Sequence, residues 1–294
     1  MRLQERLTSS VVRLFSQGER PLSQTHLYPG DTGLFGPNSV SWKVMGDVAS
    51  FVGGVRALLL QALHPEVAAG VADHSEYESD PLGRLNRTSS FVTTVNYGAT
   101  REVDLAIQRV KQAHQPVSGF SGRGIAYSAS DPSLGAWVQN TLTDSFLDAY
   151  QRFCCPLDPD EADQFVQEQS KIGFLLGIAE LPQTAGELRS WIVEHPALEK
   201  SAALEEAWDF LNNPPLRSGQ LFGYRIVRGA AIATLPKKLA KLAGAKYRTG
   251  SVFAGRRLIS SLRWAMKHSP AWKAALDRCG ADYDHTKFRS FSLD

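Results

Sequence analysis

The sequence predicts an all-α protein, and three observations predict it. Apolar residues recur at spacings of three and four through most of the 294 residues. Helix-start signals stand at the head of several of these runs, above all Asp80-Pro81, Asp131-Pro132 and His64-Pro65. Alternating β-branched stretches, the mark of strands, are nearly absent.

Taken in order, Leu3, Leu7, Val11 and Leu14 predict a first amphipathic helix over about residues 2–16. The Pro- and Gly-containing stretch 16–39 reads as an arm that ends in Ser39, a good N-cap. Residues 40–63 are strongly apolar, with Gly53-Gly54 marking either close approach of another backbone or a break between two helices. Pro65 restarts a helix at its first turn, where a missing N–H does no harm. Residues 80–114 predict two helices divided near 98–100, with Thr100 as cap of the second. Residues 116–132 read as a glycine-rich loop, and Asp131-Pro132 opens the next helix. A helix with an acidic first turn follows Pro156, and helices near 183–194, 199–211, 218–242 and 251–276 complete the chain. No repeat or clear linker divides it. The expectation is one domain: an N-terminal helix and arm over 1–38, a core over 39–245 and a helical C-terminal part over 246–294.

Composition narrows the function classes. Hydrophobic residues make up 43% and charged residues 21%, ordinary values for a globular protein. With 32 basic and 30 acidic residues, nothing points to nucleic acid as a partner. The basic run "LPKKLAKLAGAKYR", 235–248, reads as a solvated helix face in preference to a membrane or acidic-partner surface. Cys154, Cys155 and Cys279 form no CxxC and fit a reducing compartment. The N-terminal twenty residues lack the apolar core of a signal peptide, and the apolar run "VRALLLQALHP" is too short to span a bilayer. The expected location is cytoplasmic; the oligomeric state is open.

Familiar catalytic patterns are missing: no Walker A, no GxGxxG after a strand, no HExxH and no G-x-S-x-G. Two segments remain. In "RLNRTSSF", Arg84, Arg87 and Thr88 lie near one helix face, where two guanidiniums and a hydroxyl either pair with surface acids such as Asp80 or meet an anion or polar ligand. In "VKQAHQPVSG", His114 ends a helix. It is either a packed or capping ring, or the single protein ligand of an iron porphyrin, which leaves the opposite axial position open. His64, His74, Tyr127, Trp137 and the cysteines read as packing residues.

The run "GGVRALLLQALHPEVAAGVADHSEYESDPLGRLNRTSSFVTTVNYG", 53–98, together with "VKQAHQPVSG" and "GIAYSASDPSLGAWVQNTLTDSFLDAYQRF", resembles the MpaB-type oxygenase family, related to the latex clearing protein (rubber oxygenase) catalytic domain. The resemblance implies a globin-like helical core that binds haem b, with His114 as the iron ligand and Arg84 and Thr88 on the opposite face of the haem. Phe91, Val92 and Val95 would form a dry pocket around them. Latex clearing proteins carry lysine where this chain has Arg87; arginine is a very poor iron ligand and would leave the iron open or meet a haem propionate. The function so implied is oxidation, by O2, of a small or medium apolar molecule, with cleavage of a carbon–carbon double bond as the leading reaction. The alternatives are a haem carrier or sensor without turnover, and an all-α scaffold without haem.

Overall fold

The computed structural model describes residues 21–75, 80–216, 218–266 and 269–281; the helix expected over 2–16 lies outside them. Thirteen α-helices are found among the described residues, with one two-stranded sheet. The protein is all-α.

Helix α1 (Val40–Met45) starts as the sequence predicts, with the Ser39 hydroxyl accepting the Trp42 N–H at 3.1 Å. The Glu168 carboxylate accepts the Ser41 N–H at 2.7 Å, a buried acid at a helix N-terminus, where its charge is favoured. The break in the apolar run falls at 46–49, not at the glycine pair, and α2 (Ser50–Gln61) runs through Gly53 and Gly54 without interruption. Gly53 has the other role expected of it. A Cβ there would lie 2.7 Å from Phe146 Cδ1 and 3.0 Å from the Ser145 carbonyl oxygen. Only glycine lets α2 lie this close to α6 (Pro132–Phe153), the long central helix.

Helices α3 (Pro65–His74), α4 (Pro81–Tyr97) and α5 (Thr100–His114) follow. Asp80 caps α4 by accepting the Gly83 N–H at 2.9 Å. Thr100 does not cap α5: it is the first helical residue, and its N–H and hydroxyl both bind the Asp31 carboxylate, at 2.9 and 3.0 Å. Glu102 instead accepts the Ala99 N–H at 2.9 Å. The expected loop at 116–132 contains a small hairpin, Ser118–Phe120 against Ala126–Ser128. Three residues per strand are too few for alternation to show in the sequence.

Beyond α6 come α7 (Pro159–Leu176), α8 (Ala185–Glu194), α9 (Ala202–Asn212), α10 (Ser218–Ala233), α11 (Lys237–Leu242), α12 (Ser251–Met266) and α13 (Pro270–Cys279). The stretches 218–242 and 251–276 each hold two helices, because Pro236 and Pro270 cannot continue the preceding one. The main apolar core gathers α1, α2, α6, α7, α10 and α12 around Trp42, Leu59, Trp137, Phe165 and Ile259, all under 2% exposed.

One polar inclusion sits at its centre. Arg56, fully buried, lies 2.7 Å from Asp144 Oδ2 and donates to the Ser145 hydroxyl at 2.8 Å. Arg189 and Arg152 reach the same acids from the surface, at 3.1 Å and 2.8 Å from Asp148.

The turn between α4 and α5 is fastened from several sides. Buried Arg278 donates to the carbonyls of Tyr97 and Asp31, both at 2.7 Å. Trp42 Nε1 donates to the Asn96 carbonyl at 2.8 Å, and the Asn96 side chain accepts from Gln169 at 3.0 Å. Gly33, at φ 66°, has no room for a side chain, since a Cβ would meet the Gly98 carbonyl oxygen at 2.0 Å. These contacts close one end of the α4–α5 hairpin and place the other end away from them.

Candidate functional site

The hairpin turns at Gly98-Ala99, so positions equidistant from the turn face one another. On α4, Arg84, Thr88, Phe91 and Val95 follow spacings of four, three and four and share one face. On α5, Val103, Ile107, Val110 and His114 follow the same spacings. Counted from the turn, Val95 and Val103, Phe91 and Ile107, Thr88 and Val110, and Arg84 and His114 hold equivalent positions on the two helices.

Burial follows this order. Val95, Val103 and Ile107 are buried and form, with Ile172 of α7, a second apolar cluster on which Phe91, Leu175 and Leu176 pack. Val110 and Arg84 are half-buried, and Thr88 and His114 are exposed. The hairpin is closed and dry near the turn and opens toward its polar end. Val92, expected in the pocket, instead packs against the main core.

His114 ends α5 with an exposed side chain. Desolvation lowers its pKa, and a hydrogen bond with the Ala129 backbone partly offsets this. In a neutral imidazole one ring nitrogen donates and the other carries the lone pair. The small β-hairpin makes this possible: Val117 donates to the His114 carbonyl at 3.1 Å and Ala129 donates to the Val117 carbonyl at 2.9 Å, bringing 129 back beside 114. An imidazole fixed through one nitrogen by a backbone acceptor is the usual support for a metal-bound histidine. A single imidazole beside a backbone carbonyl is a donor type that a haem iron accepts.

Arg87 is exposed and pairs with Asp80 at 3.3 Å, the surface pairing that the sequence left open. Asn86 is a residue that pattern reading missed. It is buried, and neither its Oδ1 nor its Nδ2 has a hydrogen-bond partner among the described residues. A single amide within a helix gives no periodic signal.

A second constellation lies at the start of α3. His64 is buried against His195 and Trp137, with ring centroids 5.2 and 5.9 Å away, and Trp191 packs on His195 at 4.8 Å. Burial and the neighbouring His195 push the His64 pKa down to about 4. Its Nδ1 lies 3.3 Å from Glu66, off hydrogen-bond geometry, while Glu66 is taken by Arg123 at 2.6 Å and Ser121 at 2.7 Å. The packing role expected of His64, Trp137 and Tyr127 holds, and all three are buried. His74, by contrast, is exposed, with Nε2 3.0 Å from the Ser118 carbonyl oxygen. Among the described residues no group of three or more His, Cys, Asp or Glu side chains forms a metal site of its own.

Neither a curated protein nor a solved structure matches the chain. A family model described as ER-bound oxygenase mpaB/B′/rubber oxygenase, catalytic domain, matches residues 42–266, a span that holds the whole α4–α5 hairpin and the central α2–α6 pair. The chain belongs to this family of oxygenase catalytic domains.

Proposed function

We propose that the chain is a haem b-dependent oxygenase that uses O2 to oxidise a small or medium apolar molecule, with cleavage of a carbon–carbon double bond as its reaction. What supports this reading is the burial gradient along the α4–α5 hairpin: an apolar cluster of Val95, Val103, Ile107 and Ile172 near the turn, and Arg84, Thr88 and His114 toward the polar ends of the two helices. Haem, when bound, would supply the iron centre at which O2 is activated, within a globin-like helical core.

The chain's own residues would do the rest. His114 would hold the iron through the nitrogen not committed to Ala129, and the Ala129 bond would fix the ring's rotation. Arg84, charged at any ordinary pH, and the Thr88 hydroxyl would offer hydrogen-bond donors to negative charge that develops in the reaction. Arg87, already at the surface, suits a haem propionate and not the iron. Phe91, Ile107, Val110 and Leu175 would exclude water and favour an apolar substrate. Free cysteines at 154, 155 and 279 suit a reducing compartment, in keeping with a cytoplasmic setting.

The test is haemin titration of the purified chain beside His114→Ala. A stoichiometric Soret band in the wild type that shifts or disappears in the variant, with thermal unfolding unchanged, is the expected result. A folded wild type that takes up no haem ends the reading. Haem uptake without oxygen consumption across a panel of terpenoid alkenes would favour a carrier or sensor.

A further inference from the structure

The chain as a whole is nearly neutral, but its charge is not evenly spread. Between Phe210 and Leu276 lie 13 of the 32 basic residues and none of the 30 acidic ones. Four of the six exposed aromatic side chains among the described residues fall in the same stretch: Phe222 (70% exposed), Tyr247 (58%), Phe253 (69%) and Trp264 (60%). Each has cations within a helical turn. Arg225 follows Phe222, Lys246 and Arg248 flank Tyr247, and Arg256 and Arg257 follow Phe253.

Phe222 lies on α10, Phe253 and Trp264 lie on α12, and Tyr247 lies just before α12. Helices α10 and α12 pack antiparallel, with the Gly229 position facing Ser251 and the Gly255 position facing Ala230. On α12, Phe253, Arg257, Ser260 and Trp264 recur at four, three and four and so share a face, about 16 Å long from the rise per residue. The short basic α11 follows α10 in the chain, with Lys237 and Lys241 exposed. The ion pair that involves this stretch among the described residues is Arg263 with Asp47, so most of its positive charge meets no described acid.

We infer that this α10–α12 layer is a docking surface for an anionic lipid bilayer. Aromatic rings spaced among Lys and Arg have the chemistry of the headgroup region: rings enter the apolar boundary while the cations meet lipid phosphates and carboxylates. An acidic protein partner would satisfy the charge alone, whereas protruding rings each set beside a cation suit a fluid interface. No described helix is long and apolar enough to cross a membrane, so the contact is peripheral. The inference does not depend on haem. It takes up the membrane-surface alternative for residues 235–248.

Flotation of the full chain with vesicles tests it. Vesicles containing about one-third phosphatidylserine should carry the protein, pure phosphatidylcholine vesicles should not, and added salt should release it. The triple variant Lys237→Glu, Lys241→Glu, Arg257→Glu should lose about 100-fold or more in partition. The double variant Phe253→Ala, Trp264→Ala should lose about tenfold. All five positions are exposed, so circular dichroism should match the wild type. Absence of flotation, equal flotation with neutral vesicles, unchanged partition in both variants, or a dimer that the double variant dissolves would each overturn the inference.

Discussion

Two arginines placed on helices show two different uses of the same side chain. Arg56 has no exposed surface and is enclosed by Asp144, Asp148 and Ser145, all on the facing helix. Its guanidinium joins α2 to α6, and Arg189 and Arg152 balance the remaining acid charge from outside. Arg84 is half-buried in the first turn of α4, far from the hairpin's turn. A cation closed in by carboxylates at the centre of the core maintains architecture; a half-buried one on a partly open face tolerates change more readily.

The sharpest way to break this contrast is to remove each charge in turn. Arg56→Met leaves two buried carboxylates short of a partner and should cost about 3–5 kcal/mol in denaturant unfolding. Arg84→Met should cost less than about 1 kcal/mol and act on haem or substrate instead. Equal losses of stability would erase the distinction.

The two helix-end histidines extend the comparison to pH. His64 has a folded pKa near 4, below the ordinary value of an unfolded histidine, so it remains neutral in the native state while the unfolded chain takes up a proton. Stability is therefore full above about pH 6.5 and declines as pH falls toward 4, by about 3 kcal/mol in total. His195, also lowered by burial, adds to the same slope. Burial pushes Glu66 up, but its bonds from Arg123 outweigh this and leave it below its usual value, so it titrates beneath the window. Urea unfolding at pH 7, 6 and 5 should show the decline, and His64→Phe should flatten much of it. An unchanged slope in that variant would remove His64 as its cause.

The smallest effect separates two neighbouring thiols. Cys154 is buried and its pKa is pushed far up, while Cys155, half-buried, is lowered to about 6 by hydrogen bonding with Cys154 and the Tyr150 hydroxyl at 3.2 Å. At pH 7 iodoacetamide should label Cys155 first, and Tyr150→Phe should slow that labelling several-fold with little change in stability. Equal labelling of Cys154 would contradict the assignment.

What the sequence makes legible is whatever leaves a local trace. Asp80, Asp131 and Ser39 announce their helices because a cap needs a small polar residue at one place. The division at 98–100 and the shared face of Arg84 and Thr88 follow from period alone. The role of Thr100 was hidden, because its partner is Asp31, 69 residues away. The bond between His114 and Ala129 depends on a hairpin too short to show periodicity. Arg56 sits in an apolar run with no mark of the acids that meet it, 88 and 92 positions later. Cys155 reads as an ordinary helix-end cysteine until Tyr150 is seen against it.

The α4–α5 hairpin also limits how this protein can change. Because each pair across it is counted from the same turn, one residue inserted between Phe91 and Val95 would rotate everything before it by about 100° relative to the bolted end. Arg84 and Thr88 would turn away from His114 although neither had been substituted. Point substitutions can alter the chemistry of the wedge freely, but length changes within either helix are forbidden unless they come in whole turns, about seven residues for two. Loops outside the hairpin carry no such restriction, and insertions that reshape substrate preference would be expected to accumulate there.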